Sequence, residues 1–79
     1  MNYKGIDLRT ATIHDFTSDP KILVDEFGIE ESKEEYSSHI PIETRVRDLM
    51  DYAELTKDKE LETAIEKTFE KELETFSFE

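Results

Sequence analysis

TKDKELETAIEKTFEKELETF, from Thr56 to Phe76, is the stretch whose reading decides the fold. Placed on a helix, it gathers Leu61, Ala64, Ile65, Phe69, Leu73 and Phe76 on one stripe, because residues three and four apart share a helix face. The row Leu61, Ile65, Phe69, Leu73 is therefore the expected core contact. One residue on runs a second row, Glu62, Glu66, Glu70 and Glu74, in which each carboxylate stands about 6 Å of helix rise from the next. Glu72 falls on the apolar stripe between Phe69 and Phe76. There it is either at a frayed end or paired with Arg45, Arg47 or a base of another protein.

Upstream, Pro41 marks the start of a second helix. Proline is favoured at the first helical position, and Ile42, Val46, Leu49, Met50 and Ala53 follow at helical spacing. Glu43 and Arg47 are placed for an (i, i+4) pair. No glycine or proline separates the two apolar patterns, so a single helix from Pro41 to Phe76 and an antiparallel hairpin turning at Leu55 to Lys59 both satisfy the periodicity. The hairpin is favoured, because Thr56 or Asp58 suits the N-cap of a new helix and an unbroken helix of about 35 residues is unusual in a compact domain.

The remaining residues carry shorter signals. Alternation from Ile6 to Ile13 predicts a strand, which needs a partner such as His39–Ile42, a second copy or a target protein; an irregular arm is the alternative. Ser18, Pro20 and Gly28 punctuate a short helix over 18–28, with Ser18 as N-cap, Gly28 just past its end and Ile29 placed for the closing hydrophobic contact. The following EESKEEYSS, residues 30–38, is polar and acidic, with Tyr36 alone to bury, and reads as a loop or one helical turn. The expected fold is thus a single, mainly α domain, with a small α+β fold as its variant. It comprises an extended arm or strand at 1–17, a short helix at 18–28, an acidic loop at 29–40, and helices at 41–55 and 57–76 packed as a hairpin.

A chain of 79 residues buries only about 60% of its unfolded surface, so homodimerisation through the apolar faces of the last two helices is an open expectation. There is no cysteine, which excludes disulfides and thiolate metal sites. The longest apolar run is Ile22-Leu23-Val24, far short of a signal peptide or a membrane span, so a soluble cytoplasmic protein is expected. Twenty-one acidic residues against ten basic ones give a net charge of -11. Such a field repels nucleic acid and anionic membranes and attracts basic protein surfaces. The apolar residues fall in helical register and eight aromatic residues are available for a core, which argues against disorder.

Catalytic signatures are missing from the pattern. His14 and His39 have no ligand-spaced carboxylate or cysteine, and adjacency of Ser37, Ser38 and His39 does not create nucleophile-to-base geometry. Residues from Asp15 to Glu26 match some calcium-loop spacings, but Pro20 stands where that loop requires glycine. No enzyme activity, cofactor or metal is expected. Arg45 and Arg47 after the stretch His39–Ile42 resemble a ribbon-helix-helix DNA-binding dimer, although Pro41 interrupts the strand and the net charge opposes DNA binding. The charge pattern instead favours an inhibitor or regulator that binds a basic, nucleic-acid-binding surface of another protein as a DNA mimic. Glu62, Glu66, Glu70 and Glu74 are its candidate contacts, supported by Asp51, Glu54 and Asp58. In size and charge, though in no motif, the chain resembles small phage and mobile-element inhibitors that imitate DNA to take over a host protein. The alternative is a protein-protein interaction module, such as an antitoxin, adaptor or small subunit, that uses an apolar patch while its acids serve solubility.

Overall fold

The computed structural model describes residues 2–75. In chain order it contains β1 (Asn2–Tyr3), β2 (Ile6–Asp7), a 3-10 turn (Ile13–Asp15), a π-helical segment (Lys21–Glu26), α1 (Lys33–His39), α2 (Ile42–Leu55), α3 (Lys59–Thr68) and α4 (Glu70–Thr75). The architecture is mainly α, with a two-stranded antiparallel sheet at its amino-terminal end. Helices α2 and α3 pack together as the expected hairpin.

What ends α2 is a lysine. Lys57 adopts φ 57°, and the chain closes a Schellman motif around it: Lys57 N–H donates to the Glu54 carbonyl at 3.1 Å and Asp58 N–H to the Ala53 carbonyl at 2.9 Å. Asp58 then caps α3, its carboxylate accepting from Leu61 N–H at 3.1 Å. The continuous helix from Pro41 to Phe76 is thereby excluded at Lys57.

The two apolar stripes meet as expected. Val46, Leu49 and Ala53 of α2 pack with Leu61, Ile65 and Phe69, and Leu8 and Ala11 complete the cluster; none is more than 1% exposed. The hairpin faces expected to serve a dimer are thus covered within one chain, by the loop over 8–12. A second cluster, Ile13, Ile29 and Tyr36, seats α1 and the 3-10 turn against Leu23, Phe27, Ile40 and Tyr52. Ile29 makes the closing hydrophobic contact expected of it.

Four local expectations are corrected. The strand over 6–13 stops at Asp7 and pairs with β1, in register Asn2 to Asp7 and Tyr3 to Ile6, rather than with residues 39–42, which form the end of α1, the link through Ile40 and Pro41, and the start of α2. The two-residue turn has φ 51° at Lys4 and 84° at Gly5, the positive pair that matches strand twist in a type I′ hairpin. Beyond Asp7 the chain curls away, since the Asp7 carboxylate accepts from Arg9 N–H at 3.0 Å and its carbonyl from Thr10 N–H at 3.1 Å. Secondly, the acidic loop contains α1, initiated by Ser32, whose hydroxyl accepts from Glu35 N–H at 3.3 Å. Thirdly, the helix over 18–28 is a shorter π segment whose N-cap is Pro20 rather than Ser18, with the Asp19 carboxylate just ahead of it accepting from Lys21 N–H at 2.9 Å.

The fourth correction concerns the opening stretch. The helix expected over 57–76 breaks at Phe69, whose φ is -110° and ψ 29°. Neither proline nor glycine causes this; the Thr68 hydroxyl donates back to the Ala64 carbonyl at 2.7 Å, a bond that bends helices, and Phe69 turns fully into the core. Phe76, the last residue of the expected stripe, lies outside the described residues.

Because a side chain in the left-handed region costs roughly 1 kcal/mol that glycine avoids, Lys57→Gly should stabilise the domain by about that amount. Thermal unfolding should show a Tm increase of about 4–8 °C. Lys57→Ala, which keeps the Cβ, should show no such gain.

Candidate acidic interface

The seven candidate carboxylates divide by role. Asp58 is absorbed by the fold: besides capping α3, it accepts from the Tyr3 hydroxyl at 2.7 Å and is half-buried. Glu62 is also half-buried. The other five, Glu66, Glu70, Glu74, Asp51 and Glu54, are exposed.

Those five are brought into one band. Glu66, Glu70 and Glu74 line a shallow groove with Thr63, Lys67 and Leu73 across the junction of α3 and α4. Leu73 also borders a neighbouring depression with Arg47, Met50 and Asp51 of α2. Asp51 in turn lines a third depression with Glu54, Leu55 and Phe27, to which Glu26 of the π segment contributes another carboxylate. The straight row expected along one helix is therefore replaced by a bent band that crosses from α4 to α2 at Leu73. Glu26 belongs in the sequence to an acidic cluster over 25–35 that can extend the row, and the fold places it beside Asp51 and Glu54.

Glu72, on the apolar stripe, points away from this band. Its Oε2 accepts from the Arg9 guanidinium, and its Oε1 is buried without a hydrogen-bond partner. The Arg9 hydrogen bond holds the Glu72 carboxyl below the usual carboxylate range. Arg45, one of the expected partners for Glu72, is instead committed to the loop. Its Nη1 donates to the Ala11 carbonyl at 2.8 Å and its Nη2 to the Arg9 carbonyl at 2.7 Å. Arg9 and Arg45 both lie over the Phe69 ring, at 5.1 and 5.9 Å from its centroid.

At the opposite end, around the α2–α3 turn, a wider depression of about 780 Å³ gathers Lys4, Lys57 and Lys59 together with Asp15, Asp58 and Glu60. Neither sign prevails there, whereas along the band the carboxylates of Glu26, Asp51, Glu54, Glu66, Glu70 and Glu74 outnumber the bases Arg47 and Lys67. The two histidines, far apart in sequence, converge on Glu31: His14 Nε2 lies 2.9 Å from its carbonyl and His39 Nε2 2.6 Å from its carboxylate. The His39 contact lowers the Glu31 carboxyl. Between them Tyr36 donates to Asp48, and burial, reinforced by that hydrogen bond, raises the Tyr36 hydroxyl. Burial also raises Asp48 against the opposing effect of the bond. These contacts fasten α1 to α2 and to the 3-10 turn.

The calcium-loop residues are likewise structural. Asp15 binds the Lys33 ammonium at 2.8 Å through both oxygens, while the Asp19 carboxylate accepts from Lys21 N–H at the head of the π segment. Among the described residues no group of three or more His, Cys, Asp or Glu side chains is placed to hold a metal ion, and no helix is long and apolar enough to cross a membrane. Compared with protein-family models, curated protein sequences and solved structures, the chain matches none.

The Tyr3–Asp58 bond links the β hairpin to the head of α3 and defines a pH window. The bond to Asp58 pushes the Tyr3 hydroxyl up to about 12, and the same bond lowers the Asp58 carboxyl. A raised hydroxyl stabilises the fold fully below its unfolded value and loses that contribution as pH rises from about 10 to 12; a lowered carboxyl does so above its unfolded value near 4 and loses it on acidification. Thermal melts from pH 3 to 12 should therefore show Tyr3→Phe less stable than the parent in the middle of the range. The difference should shrink at both extremes.

Proposed function

We propose that the chain is a non-catalytic inhibitor or regulator that binds a basic, nucleic-acid-binding surface of another protein in the cytoplasm, acting as a DNA mimic. The observation that carries this reading is the band of exposed carboxylates, Glu66, Glu70 and Glu74 joined through Leu73 to Asp51 and Glu54, on a chain of net charge -11. DNA presents phosphates at about 3.4 Å per strand, and carboxylates one helical turn apart offer a comparable density of acceptors to lysine and arginine. Association driven this way is fast and falls with ionic strength.

An apolar docking patch has less behind it. Among the described residues the exposed large apolar side chains are Val24, Ile42 and Leu55. Ile42 and Leu55 begin and end α2, roughly 20 Å apart by helix rise. Each is a single exposed side chain of the kind ordinary soluble surfaces carry.

The test is capture from a nuclease-treated lysate at about 50 and 500 mM salt, with and without competing duplex DNA. Proteins retained at low salt should be released at high salt and by the duplex, and Glu66→Lys with Glu70→Lys should retain fewer of them by an order of magnitude. Retention indifferent to salt, to duplex and to the double reversal contradicts the mimicry reading.

A further inference from the structure

Helix α4 carries Glu70 and Glu74, yet it has few means of holding its own position. It spans Glu70–Thr75 and buries none of its residues fully. A helix this short is not stable in isolation, so its orientation must come from tertiary contacts. Two side chains supply them: Leu73, half-buried against the core, and Glu72, bound by Arg9.

Arg9 is itself anchored. Its carbonyl accepts from Arg45 of α2 at 2.7 Å, its N–H donates to Asp7, and its guanidinium lies over the Phe69 ring at the helix break. A chain of contacts thus runs from α2 through Arg45, the loop backbone and the Arg9 side chain to Glu72.

We propose that the Arg9–Glu72 pair is the positioning contact of the acidic interface, fixing α4 against the hairpin and so setting where Glu70 and Glu74 stand relative to Glu66 and Asp51. The bend it secures is not dictated by proline or glycine. Hydrogen bonds of i to i-4 type flank the break on both sides, Phe69 N–H to the Ile65 carbonyl at 2.9 Å and Leu73 N–H to the Phe69 carbonyl at 2.8 Å. Backbone bonding thus continues across the break but gives a helix this short little stability of its own, so side-chain contacts hold α4 in place and losing them lets it fray. The unpartnered Oε1 of Glu72 costs the docked arrangement some of its advantage, which leaves α4 releasable. That this matters for binding rests on the function proposed above; the tether itself does not.

The test uses the full chain and two readouts. By NMR hydrogen exchange, Arg9→Ala and Glu72→Gln should each speed exchange of the Leu73 amide by roughly tenfold while Leu61 and Ile65 stay within about twofold. The exchanged pair, Arg9→Glu with Glu72→Arg, should restore most of the protection. In the second readout, affinity for a decalysine peptide at low salt should fall by roughly threefold in both single variants. Simple long-range charge predicts the opposite for Arg9→Ala, which makes the chain more negative and would tighten binding. Unchanged Leu73 exchange in Arg9→Ala overturns the tether. Faster exchange with tighter peptide binding overturns its role in positioning the acids. If the parent chain fails to bind decalysine, the basic-surface function falls, and the exchange readout still decides the tether.

Discussion

Two hydrogen bonds from the Arg45 guanidinium, to the carbonyls of Arg9 and Ala11, are the constraint on which the rest of the structure depends. The loop over 8–12 has no strand partner, and its backbone acceptors would be costly to bury without donors. Arg45 supplies charged, forked donors from the side of α2, which lets Leu8 and Ala11 close the core over Phe69. A small chain without disulfides thereby completes its hydrophobic cluster from its own residues. Burial draws the Arg45 guanidinium below its ordinary value, though an arginine remains charged across the physiological range.

The same arrangement sorts the charges. Arg9, Lys33 and Arg45 are drawn into internal bonds with Glu72, Asp15 and the loop carbonyls. Lys4, Lys57 and Lys59 gather near the turn between α2 and α3. Glu70 and Glu74 of α4, Glu66 of α3, and Asp51 and Glu54 of α2 are left facing solvent. An acidic surface of this kind follows from where the bases are used as much as from how many acids there are. Its geometry also differs from a straight row, because the groove lined by Glu66, Glu70 and Glu74 shares Leu73 with the depression that holds Asp51 of α2.

What the sequence makes legible is local and periodic. Leu61, Ile65 and Phe69, and likewise Val46, Leu49 and Ala53, announce their helices and their core role through three-four spacing, which needs only neighbours along the chain. The exposed members of the glutamate row are legible for the same reason. The stop at Lys57 is hidden because a left-handed lysine has no compositional mark, whereas Gly28 at φ 66° does. Helix α1 had a signal in Ser32 and Glu35, but only Tyr36 follows it as an apolar anchor, so the stretch resembles a solvated loop. Arg45 with Arg9, and Arg9 with Glu72, are 36 and 63 residues apart, and no periodicity connects such pairs. The bend at Phe69 depends on a Thr68 hydroxyl whose alternative is to face water. The band across Leu73 inherits that illegibility.

The central claim is that Arg45, acting through the loop and Arg9, holds α4 at an angle to α3 and so shapes the acidic surface. Residual dipolar couplings of backbone N–H groups over 59–75 test it directly, measured in the parent chain and in Arg45→Met. The account predicts two distinct helix orientations meeting at Phe69 in the parent, and couplings of α4 that shift or average in the variant while those of α3 keep their pattern. A single orientation through Phe69 in the parent, or identical α4 couplings in both proteins, would contradict it.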